Sequence, residues 1–85
     1  MRWVEFYFDD EPRGRLVLED GKFRYEGLPI ALEEDLRRGM YNQDKNSPDL
    51  GNYLQKPEED PDWYLENVAL NYAGGRFHAS TIQTG

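Results

Sequence analysis

The sequence contains no cysteine. This absence excludes a disulfide framework, a zinc site with thiolate ligands and a cysteine nucleophile. The first ten residues, MRWVEFYFDD, are charged and alternating, whereas a signal peptide needs an apolar run. No stretch approaches the roughly 18 apolar residues of a membrane span. We therefore expect a cytoplasmic protein that does not bind a membrane.

Catalytic and phosphate-binding motifs are also missing. The only histidine, His78, shares a predicted strand face with Arg76 and Ser80, without the nucleophile elbow or oxyanion loop of a hydrolase. The stretch DKNSPDLGN has some acidic residues of a calcium loop but lacks its sixth-position glycine and final glutamate. The sequence therefore predicts no catalytic residue, no metal site and no cofactor, and we interpret the protein as not an enzyme.

Basic residues are few, because ten Lys and Arg oppose seventeen Asp and Glu and leave a formal net charge of −7. This charge disfavours binding to a phosphate backbone. It favours basic protein surfaces as partners, or it only keeps the protein soluble. A chain of 85 residues is too short for two cores, so we predict one domain over residues 1–85.

The N-terminal part is rich in aromatic and β-branched residues that alternate with polar ones. The pattern predicts strands over residues 2–8 and 15–19, separated by the turn residues 9–14. The pair Asp20-Gly21 predicts a two-residue hairpin turn into a third strand that carries Phe23 and Tyr25. The first 26 residues are thus predicted to form a three-stranded antiparallel meander.

Two helices and a last strand follow. Leucine spacing predicts a helix over residues 29–38, and Asp60 with Pro61 predicts the start of another, which Gly74-Gly75 ends. Between them lies a long polar loop over about residues 40–60. Residues 76–82 predict a strand and residues 83–85 a frayed tail. The order β-β-β-α-loop-α-β predicts an α+β two-layer sandwich, with both helices on one face of a four-stranded antiparallel sheet.

The other face of this sheet is predicted to display aromatic and basic side chains. They are Trp3, Glu5, Tyr7, Arg15, Val17, Lys22, Arg24, Arg76 and His78. Broad exposed aromatic patches usually have a function, and Trp, Tyr and Arg are enriched at binding hot spots. Three interpretations stay open: a binding interface, a face covered by the long loop or the tail, and cross-strand pairs that only stiffen the sheet.

We therefore expect a small acidic, noncatalytic protein that binds a protein partner stoichiometrically. The expected contact residues are Trp3, Tyr7, Arg15, Arg24, Arg76 and His78, and the loop offers Tyr41, Asp44, Asp49 and Tyr53 as a second candidate surface. One alternative is an acidic inhibitor of phage or mobile-element type, which mimics nucleic acid with carboxylates at 9–11, 33–35 and 58–62. Another is a single-stranded nucleic-acid binder, which the charge disfavours. The exposed face could also pair with its own copy as a homodimer.

Overall fold

The computed structural model of the chain describes residues 1–43 and 52–85. Its elements, in chain order, are β1 (Arg2–Phe8), β2 (Glu11–Glu19), β3 (Lys22–Glu26), α1 (Ile30–Arg38), β4 (Met40–Gln43), β5 (Asn52–Gln55), α2 (Pro61–Asn71), β6 (Phe77–Ala79) and β7 (Gln83–Thr84). The main sheet has the order β3-β2-β1-β6, and β7 pairs with β1 next to β6. All these pairings are antiparallel. The predicted α+β sandwich is confirmed.

Two tight turns build the N-terminal meander. Asp9 and Asp10 have φ values of 49° and 65°, and Asp20 and Gly21 have 52° and 74°, the left-handed pairs that a type I′ hairpin requires. The first turn is therefore shorter than predicted, since residues 11–14 belong to β2. Pro12 fits there because β3 pairs only with residues 15–19 of β2, so the outer side of β2 at Pro12 has no ladder bond to lose.

The core lies between one face of the sheet and both helices. Its buried residues are Val4, Phe6, Leu16, Leu18 and Ala79 from the sheet, and Leu32, Leu36, Tyr64, Leu65 and Val68 from the helices. Helix α2 begins as predicted, with the Asp60 carboxylate accepting a hydrogen bond from the Trp63 N–H at 3.3 Å. Phe8, the last residue of β1, is 39% exposed and does not belong to this core.

The C-terminal segment differs from the prediction of one strand and a frayed tail. Residues 77–79 form β6, the chain leaves the ladder at 80–82, and Gln83 and Thr84 return to it as β7 opposite Trp3 and Arg2. Ile82 lies in the gap between β6 and β7, and its side chain packs against the core. The prediction of a frayed tail is therefore wrong, because the backbone of the polar residues 83–84 pairs with the edge of β1.

The predicted loop over residues 40–60 contains a second, two-stranded sheet. Met40 lies opposite Gln55 and Gln43 opposite Asn52, so β4 and β5 form a hairpin that follows α1. Gly39 permits this approach, because its φ is 111° and a Cβ atom would lie 2.6 Å from the Gln55 carbonyl oxygen. No helix in the described part of the chain has the length and apolar character that crossing a membrane requires.

Candidate protein-binding face

One face of the main sheet points away from both helices, and we call it the open sheet face. Its residues come from all three meander strands and from β6: Trp3, Glu5, Tyr7, Arg15, Val17, Arg24 and His78. The Trp3, Tyr7 and His78 side chains are half-buried, so each keeps part of its ring accessible. The structure thus brings together five of the six predicted contact residues, all except Arg76.

Val17 occupies the centre of the open sheet face. It lies between Trp3 of β1 and Arg24 of β3 in one row across the strands. Its side chain is 0% exposed, although the sequence predicts it on display. Large side chains flank it on both neighbouring strands, and beside it the Arg15 guanidinium carbon lies 5.6 Å from the Trp3 ring centroid. The face therefore has a small apolar centre of its own.

The tail covers one border of this face. The Gly85 N–H donates to the Met1 carbonyl at 3.1 Å. A Cβ atom on Gly85 would lie 3.0 Å from the outer atoms of the Trp3 ring. Among the three interpretations of this face, cover by the tail is therefore observed in part: Gly85 lies against the edge of the Trp3 ring.

The two arginines of the face are held by carboxylates. Arg15 Nε donates to Glu26 at 2.8 Å, and Arg24 donates to Glu19 at 2.6 Å and to Glu26 at 3.2 Å. Hydrogen bonds from Arg15 and then Arg24 lower the pKa of Glu26, and those to Glu19 and Glu26 raise the pKa of Arg24. These arginines are therefore neutralised locally, and the face is less basic than the sequence predicts.

His78 and Tyr7 form a stacked pair across β1 and β6. Their ring centroids are 5.4 Å apart and their planes differ by 18°. His78 Nδ1 lies 3.0 Å from the Gly75 carbonyl oxygen, which can only accept, so Nδ1 carries the proton in this contact. The Ser80 hydroxyl donates to the Thr81 carbonyl at 2.7 Å and accepts from the Glu5 N–H at 3.0 Å. Both hydrogen bonds of the Ser80 hydroxyl are thus made to backbone groups, and neither is made to His78.

Arg76 lies at the end of the sheet, apart from the open sheet face. Its Nε and Nη2 atoms both donate to the Asp9 carboxylate at 2.8 Å, and its guanidinium lies 5.4 Å from the Phe8 ring centroid. The hydrogen bonds from Arg76 lower the pKa of Asp9. Arg76 precedes β6, so the strand alternation that predicts its position does not apply to it.

The second candidate surface is only partly within the structure. Tyr41 and Tyr53 belong to β4 and β5, where Tyr41 lies opposite Leu54 and Tyr53 opposite Asn42. Asp44 and Asp49 lie outside the described residues, as does most of the stretch DKNSPDLGN. Within residues 1–43 and 52–85 no group of three or more His, Asp or Glu side chains is placed to hold a metal ion.

Half of the carboxylates in the acidic clusters, five of ten, form salt bridges with arginines. Salt bridges join Asp9 to Arg76, Glu11 to Arg13, Glu33 to Arg37, Asp35 to Arg38 and Asp62 to Arg2. These arginine partners, and the partners Glu19 and Glu26 of the open sheet face, were not predicted from the sequence. The i,i+4 spacing of Glu33 and Arg37 on a helix could have predicted their salt bridge. Pairs that join distant parts of the chain have no such local signal in the sequence.

Comparison of the chain with protein-family models, with curated proteins and with solved structures finds no match.

Proposed function

We propose that the protein is a noncatalytic module that binds another protein stoichiometrically through the open sheet face. The observation that carries this proposal is the state of its aromatic side chains. Trp3, Tyr7 and His78 are half-buried on a face that neither helix covers. Partly exposed Trp and Tyr rings beside arginines are the typical anchors of protein interfaces.

The order already present on this face supports the proposal further. Arg15 and Arg24 are held by Glu26, and the Tyr7 ring is stacked on His78. Side chains that are ordered before binding lose less conformational entropy when the partner arrives. The arginine–glutamate pairs also make the face locally neutral. We therefore expect a partner surface of mixed apolar and polar groups, in which ring faces make the main contacts.

Site-specific photo-crosslinking in cells of the native host tests the proposal. Glu5 lies between Trp3 and Tyr7, and its carboxylate has no ion pair in the described part of the chain. Replacing it with p-benzoylphenylalanine places the reactive group on the face without breaking a contact described above. We expect one crosslinked adduct with a different protein, and we expect Trp3→Ala in the same chain to abolish it.

The matched control places the same group at Ile30, which is 79% exposed on α1 on the helix side of the molecule. An adduct of similar yield from Ile30, or none from position 5, would contradict the proposal. An adduct between two copies of this chain would contradict it as well, because the face would then serve self-association.

The acidic inhibitor is a second proposal with weaker support. A nucleic-acid mimic needs unpaired carboxylates, and exposed groups such as Glu34, Glu59 and Glu66 offer them. In the clusters at 9–11 and 33–35, however, Asp9, Glu11, Glu33 and Asp35 are paired with the protein's own arginines. Binding to a basic groove would weaken steeply as salt rises, whereas binding through the locally neutral sheet face would change little. We propose a cytoplasmic location for either role, since a chain without cysteine suits a reducing compartment.

A further inference from the structure

Strand β3 ends the main sheet with an open hydrogen-bonding edge. The two-residue turn at Asp20-Gly21 makes Glu19 and Lys22 a hydrogen-bonded pair, and alternation makes Val17 with Arg24 the next one. The backbone groups of Phe23 and Tyr25 therefore point away from β2. Among the described residues, no loop or turn backbone group bonds to them.

Among the residues that the structure describes, the opposite edge of the sheet has a protecting contact that β3 lacks. At that edge the Ala79 N–H of β6 donates to the Tyr72 carbonyl at the end of α2, at 2.8 Å. An unprotected edge is a template for another strand. Charged side chains on an edge often prevent such pairing, so their positions on β3 decide which strand it accepts.

We propose that β3 pairs antiparallel with β3 of a second copy, about a two-fold axis at Arg24. In this register Phe23 lies opposite Tyr25 of the second copy, and the same pair repeats on the other side of the axis. These are the residues whose backbone groups point outward, so both pairs exchange their hydrogen bonds. Lys22 lies opposite Glu26 of the second copy, again twice, so the sequence KFRYE is complementary to itself in charge.

The Arg24 side chains meet at the axis without unbalanced charge. Each is already held by Glu19 at 2.6 Å and by Glu26 at 3.2 Å, so carboxylates surround the two guanidinium groups. A register shifted to place Tyr25 on the axis is less favourable. It would set Phe23 opposite Gly27, which lies beyond β3 with a φ of 67° and cannot continue a regular ladder.

The helix side of β3 leaves room for the second copy. A hollow of about 270 Å³ lies there, lined by Phe23, Tyr25, Arg37, Pro57 and Glu58 among others. Because facing residues of antiparallel strands point to the same side, both open sheet faces stay free on one side of the joined sheet. This inference is therefore independent of the proposed function.

Sedimentation over a wide concentration range, with a charge exchange, tests the pairing. Lys22→Glu and Glu26→Lys each place like charges opposite one another, and we expect each to weaken the dimer about tenfold or more. An equimolar mixture of the two variants restores both opposite-charge pairs and should dimerise again. Glu34→Lys, at an exposed position of α1, changes the net charge as Glu26→Lys does and is the control for that variant.

Amide hydrogen exchange of the unmodified chain is the second measurement, because Glu26→Lys also removes the partner of Arg15 and Arg24. The Phe23 and Tyr25 amides should become protected as the protein concentration rises, while the Arg24 amide, already bonded to Val17, should not change. A wild type that stays monomeric into the millimolar range would overturn the proposal. The proposal would also be overturned if Lys22→Glu and Glu26→Lys dimerised as strongly as Glu34→Lys, or if the equimolar mixture of the two stayed monomeric.

Discussion

Replacing Tyr64 with phenylalanine tests what holds the two helices together. Tyr64 is 0% exposed, and its hydroxyl donates to the Leu36 carbonyl at 2.5 Å. That carbonyl lies in the last turn of α1, where intrahelical N–H donors have run out. Loss of the hydroxyl leaves a buried acceptor without its partner, which costs about 1–3 kcal/mol of unfolding free energy.

Urea and thermal unfolding measure this cost. For a domain of this size each kcal/mol corresponds to a fall in Tm of roughly 4–8 °C. The matched control is Tyr72→Phe, because Tyr72 is half-buried and its hydroxyl makes no hydrogen bond within the described residues. We expect that control to change stability by no more than about 0.5 kcal/mol.

The pH dependence of the same variant follows from the buried hydroxyl. Burial raises the pKa of Tyr64, so the protonated form is favoured in the folded state. Its contribution is fully present below the unfolded pKa of about 10 and is lost as pH rises toward the folded pKa. The stability gap between wild type and Tyr64→Phe should therefore narrow above that pH. A gap that stays constant, or a Tyr72→Phe variant that is equally destabilised, would refute the reasoning.

Two further predictions concern glycines of the meander and an ion pair at its first turn. Gly14→Ala should cost about 3 kcal/mol, since φ is 109° and the new Cβ would lie 2.5 Å from the Glu26 carbonyl oxygen. Gly21→Ala, with φ 74° and open space around it, should cost only about 1 kcal/mol in the same urea titration, and equal costs would contradict the steric argument. Arg76→Ala should raise the pKa of Asp9 toward its ordinary value, because hydrogen bonds from Arg76 are the main cause of its lowering. Carboxyl-carbon NMR measures the pKa of Asp9 in both proteins. A lowered pKa gives stability that is lost as pH falls, so the wild type should lose more stability in acid than the variant. An Asp9 pKa that does not change on Arg76→Ala would contradict the prediction.

The meander and both helices are predictable because their signals are local. Asp20-Gly21 specifies its own turn, and Asp60 with Pro61 specifies the start of α2 within four residues of sequence. The extent of β2 was missed for a related reason: Pro12 is typical of a turn, and only the absence of a paired strand on its outer side makes it compatible with β2.

The rest of the fold depends on partners far away in the sequence. Gln83 and Thr84 have no strand signal of their own, and they are ordered by the free backbone of Trp3 and Arg2. The open sheet face was predictable as a set of residues, since strand alternation gives it directly. Its electrostatics were not, because neutralisation of Arg15 and Arg24 requires the register that brings Glu19 and Glu26 beside them.

The position of β6 and β7 also bears on how the chain avoids aggregation. Together they occupy the side of β1 that faces away from β2. During synthesis β1, with the sequence RWVEFYF, therefore exposes an aromatic, proline-free edge until residues 77–84 have been made. Such a segment is prone to intermolecular β-pairing, and the three acidic residues that follow it, at 9–11, oppose this by repulsion. Strands β6 and β7 thus shield a strand whose free edge would be prone to aggregation.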